Sequence, residues 1–292
     1  MEVRKIKDLS QLNDNNLFEV IAQGLKLIYE NAKCIINDSI FLKQNKRNQG
    51  SEILENLGNE EAAKFLILLD AIRCDRENKN DFIRQLGYFN NHLARNIYTH
   101  YCDTSPADFR EVREIIERAR EMYYIDGPEW KNWVFRNRHL SKRESCMYVD
   151  YVKSDNKHHW ISPNDSPKKD VIYGSLHHSF IFNLINALHT TGCTSSDGLK
   201  VIASKWRPIE IKDNMSRGEL EDINRDILEE LYKHGLLHNI KEEFNNILTR
   251  YWLYPLYPLD LRVKEIDLKK MQSEADKVSE DFLEREHMPE NY

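Results

Sequence analysis

From Asn15 to about Asn45 the chain places Leu17, Ile21, Leu25, Ile28, Ala32, Ile35 or Ile36 and Ile40 at steps of three and four residues. An α-helix turns about 100° per residue, so this spacing lines every apolar side chain along one stripe. A stripe of that length must be covered by other helices. The covering segments follow at once. Asn-Gln-Gly-Ser at 48–51 breaks the first helix, and Ser51 can cap a second that runs to about Cys74, with Leu54, Leu57, Phe65, Leu68 and Ile72 on one face. Asp81 can cap a third through about Tyr101, with Phe82, Leu86, Phe89, Leu93 and Ile97 on its stripe. Ser105 before Pro106 opens a fourth helix, whose exposed side carries mixed charges.

Around Asp126-Gly127-Pro128 the texture turns aromatic and irregular. "CMYVDYV" reads as a short strand and "KHHWI" as its hairpin partner. "VIYGSLHHSFIFNLINALHTTG" restarts a helix that Gly192 stops, and helices follow over about Asp197–Lys205 and Ser216–His234. The second of these opens with a capping box, Ser216 to Glu219. "RYWLYPLYPLDLRV" reads as packed extended chain, and a charged helix or frayed tail starts near Lys264. The expected class is all-α: an antiparallel helical bundle with a small β-hairpin insertion and additional C-terminal helices. Its expected parts are a helical core (1–125), an aromatic, basic loop with the hairpin (126–170), and a C-terminal helical region packed on the core (171–292).

A length of 292 residues can bury a real core, and the net charge of −6 argues against a general nucleic-acid coat while leaving room for a small basic site. The five cysteines (Cys34, Cys74, Cys102, Cys146 and Cys193) are scattered and never spaced as CxxC, which suits a reducing compartment better than a disulfide framework or zinc module. "MEVRKIKDLSQLNDNN" holds no apolar run of signal-peptide length, and no later run approaches a membrane span. The expectation is a soluble cytoplasmic protein that needs no membrane. Gly-rich phosphate loops, GxSxG elbows and HExxH motifs are absent, so nucleotide hydrolysis, serine hydrolysis and zinc proteolysis have no support. His158-His159 and His177-His178 are adjacent pairs without a carboxylate or cysteine at ligand spacing, so no metal or other cofactor is expected.

The chemistry concentrates in "ARNIYTHYCD". His92, Asn96, Thr99 and His100 share a broad helix face that Arg95 has the reach to join. Such a face must meet solvent, pair, or bind a ligand. These groups suit metal-free RNA cleavage. A base takes the ribose 2′-OH proton, the oxygen attacks phosphorus, an acid protonates the leaving 5′-oxygen, and a cation stabilises the phosphate. Histidine can do either proton job and arginine can hold the phosphate. A single histidine is one group short, which a second copy of the chain could supply. On the preceding helix Glu61 and Lys64 fall on the apolar stripe, form an i, i+3 pair, and put Glu61 within reach of Arg95. The bare R-x(4–6)-H pattern should occur by chance about twice in such a composition, so context must carry it.

"RNIYTH" resembles the R-x-x-x-x-H motif of the HEPN superfamily, with an asparagine directly after the arginine. "NEEAAKFLILLDA", and "RESCMYVDYV" followed by "HHWISP", resemble the AbiV-type abortive infection branch over roughly residues 15–165. That resemblance implies a helical protein that dimerises through the motif helices and is a metal-independent endoribonuclease of a bacterial antiphage or toxin system. Arg95 and His100 would be its catalytic pair, Asn96 an accessory, and Glu61 and Lys64 supports. An unchecked RNase would kill its host, so restraint is expected from a phage-encoded or cognate protein regulator, a nucleotide, or occlusion by the C-terminal region. Some HEPN members are not catalytic, and the alternative is a helical module that binds a protein partner or nucleotide. Blander readings stand beside these: a purely structural Arg95 and His100, a salt bridge of Glu61 and Lys64 that only orders the bundle, and a surface or dimer-contact His92. Lys131, Arg136, Arg138, Lys142 and Arg143, interleaved with Trp130, Trp133 and Phe135, could form an RNA groove or an ordinary solvated loop.

Overall fold

The structure is a computed structural model that describes residues 5–125, 132–135, 137–154, 157–163, 179–237, 241–252 and 254–274. A 3-10 turn, Ile6–Gln11, leads into α1, Asp14–Gln44, whose first turn is capped by the Asn13 side chain accepting from the Asn16 N–H. The predicted stripe is the buried one: Leu17, Ile21, Leu25, Ile28, Ala32 and Ile36 all lie in the core. α2, Asn48–Arg73, packs along α1 and is the central helix of the molecule. The two approach closely at Gly58, where a Cβ would fall 2.6 Å from Ile36 Cδ1. Ser51 lies inside α2, bonded to Ser39 of α1, and does not cap it.

The single helix expected over 81–101 is two. α3, Lys79–Tyr88, is capped by Asn78 and not by Asp81, and α4, His92–Cys102, is capped by Asn91, whose side chain accepts from the Ala94 N–H. Two asparagines, Asn90 and Asn91, sit at the break. An asparagine side chain competes for backbone bonds, and here it supplies a new helix start. α5, Phe109–Ala119, begins after Asp108, three residues beyond the expected Ser105.

Next come β1, Glu121–Ile125, β2, Asn132–Phe135, and α6, Arg138–Ser145. The expected hairpin is present as β3, Asp150–Ser154, against β4, Lys157–Ile161, with Tyr151 opposite Trp160, but its first strand begins at Asp150 and not at Cys146, which caps the end of α6. The C-terminal half adds α7, Phe180–Thr190, α8, Ser196–Trp206, α9, Arg217–Lys233, with its capping box formed, and α10, Glu242–Tyr251. β5, Lys264–Asp267, replaces the first turn of the expected terminal helix, which starts only at 268. It pairs in parallel with β1, giving a three-stranded sheet of order β2-β1-β5.

One hydrophobic core runs through α1–α5 and α7–α10. α7 and α8 pack on α1 and α2, and Asp14 at the start of α1 holds Arg76 at 2.7 Å and Arg207, just after α8, at 2.8 Å. The extended segment after α10 threads this core: Tyr254, Leu256, Leu259 and Leu261 are buried, and the Leu256 N–H donates to Asp70. The fold is thus a mostly helical bundle. Among the described residues no helix is long and apolar enough to cross a membrane, and all five cysteines are free thiols.

Candidate active site

α4 lies between α2 and α6, and His92, Arg95 and Asn96 of its polar face converge on one buried carboxylate, that of Glu60, while Thr99 donates to the Asn59 and Arg95 carbonyls. Glu60 Oε2 accepts from His92 Nδ1 at 2.7 Å and from Arg95 Nη1 at 3.3 Å. Asn96 Nδ2 donates to Glu60 Oε1 at 3.4 Å and to the His92 carbonyl at 2.9 Å. Arg143 of α6 closes the far side, with Nε 2.9 Å from Glu60 Oε1. A carboxylate with this little water costs several kcal/mol unless charge partners surround it, and here two guanidiniums do. The cluster therefore holds one negative charge against two fixed positive ones, a locally basic spot on an acidic protein.

The break between α3 and α4 builds the site. Because α3 ends at Tyr88, the carbonyl of Phe89 has no place in a continuing helix, and Arg95 Nε donates to it at 2.9 Å. Arg95 is thus held at two points and is nearly buried. Burial pulls its guanidinium below the usual arginine range and the Glu60 charge pulls it back, and it remains a cation.

Glu61 and Lys64 form the expected pair at 2.6 Å, and Lys64 also lies 5.4 Å above the Phe89 ring. Glu61 adds its field to Arg95 from nearby, but the carboxylate that binds the arginine is its neighbour Glu60. Spacing misled here because Leu57, used to define the stripe, is exposed, whereas the helix from Phe65 to Arg73 is buried all round. A helix surrounded by neighbours has no polar side to set the phase.

His100 stands exposed at the C-terminal end of α4. Its ring meets that of His139 from α6, with centroids 4.9 Å apart and planes tilted by 45°. Sequence reasoning missed both Glu60 and His139. The "NEEAAK" doublet offered Glu60 at equal weight with Glu61. His139 could have been found by reading "NRHLSKRES" as a capped helix, in which His139 and Arg143 share a face at i, i+4. Of the basic loop, Arg138 is exposed at the start of α6 and Arg143 turns inward to Glu60. Lys131 and Arg136 lie outside the described residues, as does the side chain of Lys142. His158 stacks on Tyr151, His177-His178 lies outside the described residues, and no three potential metal ligands converge among those described. A cleft of about 260 Å³ elsewhere, lined by Leu228, Tyr232 and Leu248, gathers no comparable polar set.

The fold is a helical bundle whose α4 carries arginine, asparagine and histidine beside a basic cluster, as the HEPN resemblance implies. A family model described as AbiV matches residues 20–179, more than half of the chain, and the chain belongs to that family. It is an abortive-infection-related HEPN protein. Neither the curated proteins nor the solved structures contain a match to it.

Proposed function

We propose that the protein is a metal-independent endoribonuclease that cuts RNA by attack of the ribose 2′-OH on the adjacent phosphorus. The observation that carries this reading is that an exposed imidazole, His100, shares a short helix with Arg95, which together with Glu60 of α2 and Arg143 of α6 forms a net-positive cluster. His100 transfers a proton, and the excess positive charge of Arg95 and Arg143 draws the scissile phosphate and stabilises its extra charge. Asn96, bonded to Glu60, keeps the cluster in register with α4. Arg138 adds an exposed positive charge at the start of α6, and Lys131, Arg136 and Lys142 are proposed as further RNA contacts. A homodimer through the motif helices, and a protein regulator that restrains cleavage, complete the proposal.

One observation favours the second reading, a non-catalytic module that binds a partner or nucleotide. Two of the Arg95 donors are already spent on Phe89 and Glu60. The two readings part in one experiment: purified protein is incubated with transfer RNA in EDTA, beside Arg95→Ala and His100→Ala. Cleavage by the wild type that is lost in His100→Ala, with unchanged circular dichroism, supports the nuclease. RNA left intact by the wild type, or cut equally by His100→Ala, overturns it.

A further inference from the structure

Cleavage through the 2′-OH needs two proton-transfer groups, and α4 offers only one histidine beyond the Glu60 cluster. We propose that His139 is the second, supplied by the same chain, so that His100 and His139 divide the acid and base work. This rests on the ribonuclease reading above.

The argument is one of placement. Glu60, beside the N-terminal half of α4, is met by Arg143, whereas His100 at the other end of α4 is met by His139. α6 therefore runs antiparallel to α4, and one face of it delivers a cation to the cluster and an imidazole to the histidine. His139 is half-buried, and its backbone is set by a buried polar bolt. The Asn137 side chain, 1% exposed, donates from Nδ2 to the carbonyls of Ala119 (2.8 Å) and Glu121 (3.2 Å). Its Oδ1 accepts from the backbone N–H groups of His139 (3.0 Å) and Leu140 (3.3 Å). The junction of α5 and β1 thus fixes the start of α6 and the position of the second imidazole.

In the step, the neutral imidazole of the pair takes the 2′-OH proton as the 2′-oxygen bonds to phosphorus. The protonated one gives its proton to the 5′-oxygen as the P–O5′ bond breaks. The products are a 2′,3′-cyclic phosphate and a 5′-OH, with no oxidation and no net proton consumed.

The test compares wild type, His100→Gln and His139→Gln on an RNA oligonucleotide and on the same oligonucleotide with bridging sulfur replacing the 5′-oxygen at the cut. A thiolate leaves without a proton, so it spares the general acid only. We expect His139→Gln to lose at least about 100-fold on ordinary RNA. We also expect the sulfur substrate to restore one of the two variants at least tenfold and not the other, which also shows that the restored variant is folded. Mixing the two variant chains should restore nothing. Cleavage by His139→Gln within threefold of wild type, with His100→Gln inactive, would overturn the assignment and leave the nuclease standing. Rescue of neither variant by sulfur, or restoration by mixing, would overturn it too. A wild type that cuts no RNA removes the reading on which it rests.

Discussion

α2 carries two buried carboxylates, Glu60 and Asp70, ten residues and about 15 Å of helix apart, and the chain treats them in opposite ways. Asp70 is sealed. It holds Arg73 at 3.1 Å, accepts from Tyr98 at 2.6 Å and from the Leu256 N–H at 2.8 Å, and Arg73 is sandwiched between Trp206 and Trp252. Burial pushes the Asp70 carboxyl up and the Arg73 guanidinium down, each opposed by the charge of the other. Glu60 is equally buried, but two of its partners reach the surface: the His92 side chain is 48% exposed and that of Arg143 27%. α4 serves both, through Tyr98 to Asp70 and through Arg95 to Glu60. A closed ion pair can only hold helices together, whereas one with solvent at its rim can also meet a phosphate. Buried charge alone does not mark a site; its route to water does.

The contrast breaks first at Arg73. Arg73→Met strands the Asp70 carboxylate and should cost about 3–5 kcal/mol, a fall in Tm on the order of 10 °C by calorimetry. A loss under about 1 kcal/mol would deny the sealed cluster its structural role. Glu60→Gln should cost less, about 1–3 kcal/mol in urea unfolding, because water can reach the released Arg143 and His92. It should also slow RNA cleavage, which Arg73→Met should leave unchanged in the folded fraction at low temperature.

Asp260 provides a smaller test, outside both clusters. Its hydrogen bonds to Arg262, opposed by partial burial and helped by Arg120, hold its carboxyl far below the usual aspartate range. A depressed folded pKa means stability present above the unfolded value of about 4 and lost as pH falls toward the folded one. Asp260→Asn should therefore cost at most about 1 kcal/mol at pH 7, since the pair is partly solvated, and the Tm gap to wild type should narrow below about pH 4. A gap that widens on acidification would contradict the sign. His100→Ala has the smallest effect on the fold, within about 0.5 kcal/mol, yet should lose cleavage by about 100-fold or more.

Where the local pattern dominates, the chain is readable: α1, the β4 strand of the hairpin and the capping box of α9 lie where their residues place them. Three features were not. The α3–α4 break hides inside a continuous apolar stripe, because Phe89 and Leu93 keep helical spacing across it while Asn91 restarts the helix. The choice of Glu60 over Glu61 depends on how α4 and α6 press on α2, which no local pattern records. The pairing of β1 with β5 joins residues more than a hundred positions apart. At the candidate site, Arg95, Asn96 and His100 were legible as a motif, but Glu60, which holds Arg95 and Asn96, and His139, whose ring meets that of His100, come from separate helices.

The most direct test of 2′-OH attack is a substrate with one changed atom. An RNA that the protein cuts in EDTA is remade with a single 2′-deoxy sugar at the scissile position, and the ends of the products are analysed by mass spectrometry. The account predicts 2′,3′-cyclic phosphate and 5′-OH ends from the all-ribose strand and no cut at the deoxy position. Cleavage at the deoxy position, or 3′-OH and 5′-phosphate ends, would contradict it.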